Sequence, residues 1–239
     1  MAPYGHPTDI FEIYRSSVHG KALFEKKDLS AANCASCHGS HGAVPPGVKS
    51  IGDTCGKCHI NEKKYFLESP HARALAAGKF SECISCHGNH GVAYATPALY
   101  QEACAKCHAP QSAEMDLGRR IERSLREADD AMEASQATVK QASIEGFFTE
   151  PETALLEELK TTVIEMEPIQ HTLSLEKLTT LHDKAIKTSE AIRQKIDGKR
   201  KALRWRRLAL VLIWLFIAVM VAALWTKYHQ LKKQREKGK

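Results

Sequence analysis

Cys34-Ala-Ser-Cys37-His38, Cys55-Gly-Lys-Cys58-His59, Cys83-Ile-Ser-Cys86-His87 and Cys104-Ala-Lys-Cys107-His108 are one five-residue pattern written four times. They hold all eight cysteines of the 239-residue chain. Cys37 to Cys55 and Cys86 to Cys104 each enclose 17 residues, ordinary spacing for two zinc ribbons. Zinc, however, has no need of a histidine after each pair. With 12 histidines in 239 positions, histidine after all four by chance has a probability of about 10⁻⁵. Structural disulfides make no such demand either, since cysteines two residues apart belong mostly to redox motifs.

Covalent attachment of haem c uses all three side chains of the pattern. The two thiols add across the porphyrin vinyl groups, and the adjacent imidazole meets the proximal face of the iron. The reading is therefore four covalently bound haem c groups, on Cys34/Cys37, Cys55/Cys58, Cys83/Cys86 and Cys104/Cys107. His38, His59, His87 and His108 are then the proximal ligands. Such attachment takes place outside the cytoplasm, so this part of the chain is expected to be exported. Met1-Ala-Pro-Tyr-Gly-His-Pro7 does not read as a signal peptide, and a leader removed from this numbering is one expectation.

The motif-bearing region repeats itself. Ser17-Val-His19-Gly-Lys-Ala-Leu23 matches Ser69-Pro-His71-Ala-Arg-Ala-Leu75. Cys34-Ala-Ser-Cys-His-Gly-Ser-His-Gly42 matches Cys83-Ile-Ser-Cys-His-Gly-Asn-His-Gly91, and Cys55–His59 matches Cys104–His108. Two dihaem units, about 17–60 and 69–108, follow. The repeat also supplies four further histidines, His19, His41, His71 and His90, for the four vacant axial positions. Met1 is the only methionine in this region, which disfavours methionine ligation. His41 and His90 stand three residues after their own proximal histidines, too close to reach the opposite face of the same iron, so each is expected on a neighbouring haem. His6 is the alternative should one of these four be a surface residue, whereas His171, His182 and His229 read as ordinary residues.

Three regions separate by composition. Residues 1–110 carry seven of the nine prolines and 11 Lys+Arg against 9 Asp+Glu, net +2. Residues 111–200 carry 13 against 18, net −5, and residues 201–239 carry 10 against 1, net +9. The middle region has helical periodicity. Ile121, Leu125, Ala128, Met132, Ser135, Val139 and Ala142 form a heptad seam, which Gly146 ends. A second helix starts at a Thr149 cap, carries Leu155, Leu159, Val163 and Met166, and stops at Pro168. A third, capped by Ser174, has the seam Leu175, Leu178, His182, Ala185, Ser189, Ile192 and Ile196. Leu208–Trp225 is an uncharged apolar run of 18 residues with Trp205, Trp225 and Tyr228 at its ends, the signature of a transmembrane helix.

The expected fold is a mainly irregular and α-helical, haem-packed domain (1–110), an α-helical bundle or hairpin (111–200), and a basic flank with one transmembrane helix (201–239). The doubled Cys-x-x-Cys-His units, with Ser-x-His upstream and Cys-His-Gly-x-His at the first haem of each, resemble the multihaem (tetrahaem) c-type cytochromes of respiratory bacteria. The resemblance covers residues 17–108 and implies closely stacked, low-potential bis-histidine haems. By role the chain is also similar to the tetrahaem quinol dehydrogenases, from which it departs in its C-terminal anchor. The implied function is electron transfer between a membrane, quinone-linked complex and extracytoplasmic acceptors, not catalysis. Expected partners are the membrane and other respiratory subunits or redox proteins, without nucleic acid, and the helical region is a candidate surface for self-association. The expected setting is the cytoplasmic membrane, with the haem domain outside and the C-terminus inside. The alternative is an oxidoreductase with one open haem acting on small nitrogen compounds.

Overall fold

The structure is a computed structural model describing residues 8–39 and 51–237; His6 and His41 lie outside these residues. It is mostly helical, with no strand among the described residues. Eight short helices come first: α1 (Ile10–Ser16), α2 (Val18–Phe24), α3 (Cys34–His38), α4 (Ile51–Cys55), α5 (Ile60–Leu67), α6 (His71–Ala76), α7 (Ile84–His87) and α8 (Leu99–Cys104). Three long helices follow, α9 (Ala113–Ile144), α10 (Glu150–Ile169) and α11 (Leu175–Lys237).

The long helices make a three-helix bundle, and its core is the periodic seam of the sequence. Ile121, Leu125, Ala128, Val139 and Ala142 of α9 pack against Leu156, Leu159, Val163 and Met166 of α10 and Leu178, Ala185, Ile192 and Ile196 of α11. The polar seam positions meet each other, Ser135 Oγ donating to Ser189 Oγ at 2.8 Å. α9 ends in a Schellman motif: Gly146 (φ 83°) donates to Ser143, and Phe147 to Ala142. At the same end Lys199 reaches buried Glu152 at 2.6 Å, and Arg200 grips Glu145 with two 2.9 Å hydrogen bonds. Burying Glu152 is tolerable because it is paired.

Two local expectations change. Thr149 occupies the cap position of α10, but its side chain makes no capping bond, because its ψ of 8° turns the hydroxyl away from the helix start. Pro168 does not stop α10, which runs one residue further before tightening into a 3-10 turn, Gln170–Thr172. A proline in the last turn forfeits little, since few hydrogen bonds remain beyond it.

α11 is one helix of 63 residues, about 95 Å long, continuous through the 200/201 composition boundary. Gly198 sits within it, exposed, with nothing within 4 Å of where a Cβ would lie. The apolar stretch from Leu208 is wholly uncovered by protein, and α11 is long and apolar enough to cross a membrane.

The short-helix region has a different interior. Among the described residues no hydrophobic side chain before Met115 is buried; the buried groups there are Ser17, Gly20, Gly52, Ser69 and Glu82. Gly20 is required by close approach, since a Cβ would meet the Tyr14 carbonyl at 2.1 Å. The region leans on the bundle through α8 on α9 and α5 on α10.

Replacing Leu159, 0% exposed at the centre of the bundle, by alanine should cost about 2–5 kcal/mol. Chemical denaturation of the detergent-solubilised chain followed by far-UV circular dichroism would measure this.

Candidate functional site

Each Cys-x-x-Cys-His stretch is a single helical turn. The histidine amide donates to the carbonyl of the first cysteine in the second, third and fourth motifs, at 3.0, 3.0 and 2.9 Å. In the first, the turn is α3 itself, opened by a capping box between Asn33 and Ser36. Residues i, i+3 and i+4 of a helical turn share one face. The two thiols and the imidazole of each motif therefore point the same way. Gly39 (φ 78°) and Gly88 (φ 71°) terminate the first and third turns. This explains why only those motifs carry Cys-His-Gly, whereas His59 leads straight into α5.

None of the eight cysteines is in a disulfide. The Cys55 and Cys83 thiols are close enough to shift each other's pKa through a shared bond, bringing the second and third motifs, and thus the two repeats, together. That bond lowers the Cys55 thiol to about 7 and raises Cys83. Burial raises Cys37, Cys86 and Cys104. Beside this contact buried Glu82 accepts a hydrogen bond from Gly52 at the start of α4, a second tie between the repeats.

Every motif histidine faces a second imidazole. The ring centroids of His59 and His19 lie 6.2 Å apart, His38 and His90 5.9 Å, His108 and His71 6.2 Å, and His87 and His171 6.2 Å. Interplanar angles are 53°, 12°, 36° and 30° respectively. An imidazole nitrogen binds a metal at about 2.0–2.1 Å, and a further ~1.1 Å separates nitrogen from ring centre. Two imidazoles on opposite sides of one metal thus have centroids about 6.3 Å apart. All four pairs fit that span. Burial lowers the pKa of His19, His71, His87 and His171, each with another imidazole adding to the effect. The neutral form so favoured is the one that ligates. Among the described residues no group of three or more His, Cys, Asp or Glu is gathered for a metal held by protein alone.

The expected candidates thus fall into cross-linked pairs. His19 and His71 stand opposite the second motif histidine of their own repeat, and His71 also stacks on Phe80 at 4.8 Å. His90 stands opposite His38 of the other repeat. His41 lies outside the described residues. The partner of His87 is His171, on the turn between α10 and α11, a histidine for which the sequence implies no ligand role. No local signal marks it, because the pair is 84 positions apart. The remaining histidines have other company: His182 meets Glu127 at 3.0 Å, and His229 packs on Trp225 at 4.8 Å.

The chain matches no family model, no curated protein and no solved structure.

Tyr100 of α8 ties the motif region to the His171 turn, its hydroxyl donating to Gln170 Oε1 at 3.0 Å. Burial raises its pKa. Replacing Tyr100 by phenylalanine should cost about 0.5–1.5 kcal/mol. The drop in denaturation midpoint against wild type would measure it.

Proposed function

We propose that the chain is a membrane-anchored tetrahaem c-type cytochrome, passing electrons between a quinone-linked membrane complex and extracytoplasmic acceptors. The observation that carries this reading is the opposition of a second imidazole to each of the four motif histidines, at a span suited to one metal between them. Haem c, when bound, supplies the Fe(III)/Fe(II) couple. Cys34/Cys37, Cys55/Cys58, Cys83/Cys86 and Cys104/Cys107 anchor it covalently. His38, His59, His87 and His108 would each bind an iron, and His19, His71 and His90 would supply a second imidazole to three of them.

Two further features support the reading. A region of about 100 residues without a buried hydrophobic side chain among those described cannot be held by its own apolar core. Four porphyrins, bonded to eight cysteine side chains, would supply that core. Paired axial ligands also leave no iron position for substrate, which favours electron transfer over catalysis. A haem open to small nitrogen compounds would need a motif histidine without an imidazole opposite, and each of the four has one.

α11 serves in this reading as the anchor, with the motif region exported, because haem c is attached outside the cytoplasm. The Leu208–Trp225 segment then spans, and the residues beyond Lys227 face the cytoplasm. Lys199, Arg200, Lys201, Arg204, Arg206 and Arg207 flank the span as heavily as the five lysines and Arg235 that follow it, so the charge bias does not set the orientation.

Intact mass of the purified protein should equal the polypeptide plus four haems, with no cysteine open to alkylation. Electron paramagnetic resonance of the oxidised form should show low-spin ferric haem throughout. A stoichiometric high-spin signal would move the case to the open-haem enzyme. Replacing His71 by alanine should leave four covalent haems but open one to carbon monoxide when reduced, an effect visible in the Soret band.

The topology has its own test. Protease added to spheroplasts should digest the motif region and spare a tag after Lys239. The reverse pattern would overturn the orientation.

A further inference from the structure

We propose that His171 is the sixth ligand of the third haem, opposite His87, so that the helical bundle supplies part of a haem site and is not merely attached to one. The inference rests on the tetrahaem reading and names a ligand the repeat does not contain. Its ring stands 6.2 Å from that of His87 at an interplanar angle of 30°, within the range of the other three pairs.

The turn that carries His171 is built to hold the ring. His171 Nδ1 lies 3.1 Å from the Pro168 carbonyl. Donation there leaves the lone pair on Nε2, the arrangement by which metal-bound histidines are usually oriented. Thr172 is buried, its hydroxyl donating to Ile169 and accepting from the Ser174 amide. Leu173 reverses the chain at φ 52° so that α11 can begin. Gln170 is held by Tyr100, and the turn packs on α5, which starts immediately after His59. A surface histidine kept for solubility would have none of these restraints.

The competitor is His41, the repeat counterpart of His90. Two single variants of the full-length holoprotein separate them. His171→Ala should retain four covalent haems by intact mass, convert one of the four to high spin, and bind one carbon monoxide per chain when reduced. Added imidazole should restore the low-spin spectrum. His41→Ala should remain low-spin throughout and bind no carbon monoxide. His171→Met guards against simple misfolding, since it should turn one bis-histidine haem into a histidine–methionine haem with its far-red charge-transfer band and a raised potential.

A fully low-spin His171→Ala protein, a His41→Ala protein with one open haem, or an unchanged bis-histidine spectrum in His171→Met would each overturn the assignment. Failure of the tetrahaem reading looks different: wild type itself would have the mass of the bare polypeptide and eight alkylatable cysteines.

Discussion

Apolar burial is divided unequally along this chain, and the architecture follows from that division. Every buried hydrophobic side chain among the described residues lies at or beyond Met115. Burial of a leucine-sized side chain contributes about 1.5–3 kcal/mol, so the bundle has ample means to stay folded. The preceding region lacks that contribution and must be ordered by other constraints. The four Cys-x-x-Cys-His turns are its fixed points, and its short helices fill the intervals between them. Porphyrin faces in the place of a side-chain core would make such a composition workable, whereas zinc ribbons would leave four histidines without a purpose.

The two regions are joined by few but specific contacts, and these cluster at one end of the bundle. α8 lies on α9, α5 meets α10 and the 3-10 turn, and Lys177 at the start of α11 reaches Glu68 at 2.6 Å. The opposite end is closed by the Schellman turn at Gly146 and the Glu152–Lys199 and Glu145–Arg200 pairs. This polarity matters for the proposed third haem site. His171 sits where the chain passes from α10 into α11, so a ligand there would couple the site to the longest element of the protein.

What could be read from the sequence was whatever is local. A helix seam announces itself at spacings of three and four, and all seven expected seam positions of α9 are buried or packed against the core. The motif turns are legible for the same reason, since i, i+3 and i+4 define one face. Thr149 misled because cap preference is statistical, and here the backbone enters α10 at an angle its hydroxyl cannot use. The continuity of α11 was hidden by Gly198 and the basic run after it. Glycine in an exposed helix costs only about 1 kcal/mol, too little to interrupt a helix held by a core on one side. His171 was beyond reach altogether: its relation to His87 depends on how a 3-10 turn packs on α5.

The same helix sets how far the proposed haems stand from a bilayer. From Leu175, beside the motif region, to Leu208, where the apolar stretch opens, α11 runs 33 residues, or about 50 Å. An upright α11 would hold the motif region at the membrane-distal end of a stalk, with α9 and α10 packed along it from Leu175 to Ile196. Oxidation of a membrane quinol by these haems alone would require electrons to cross most of that distance through helix, without a cofactor on the way. The rate of transfer along a haem chain depends on short gaps, which haems on the four motifs would have among themselves and would lack toward the membrane. Haems at that height would need redox centres outside this chain to bridge the gap. In the tetrahaem reading the long third helix would then be a spacer as well as an anchor, holding the motif region about 50 Å from the apolar stretch.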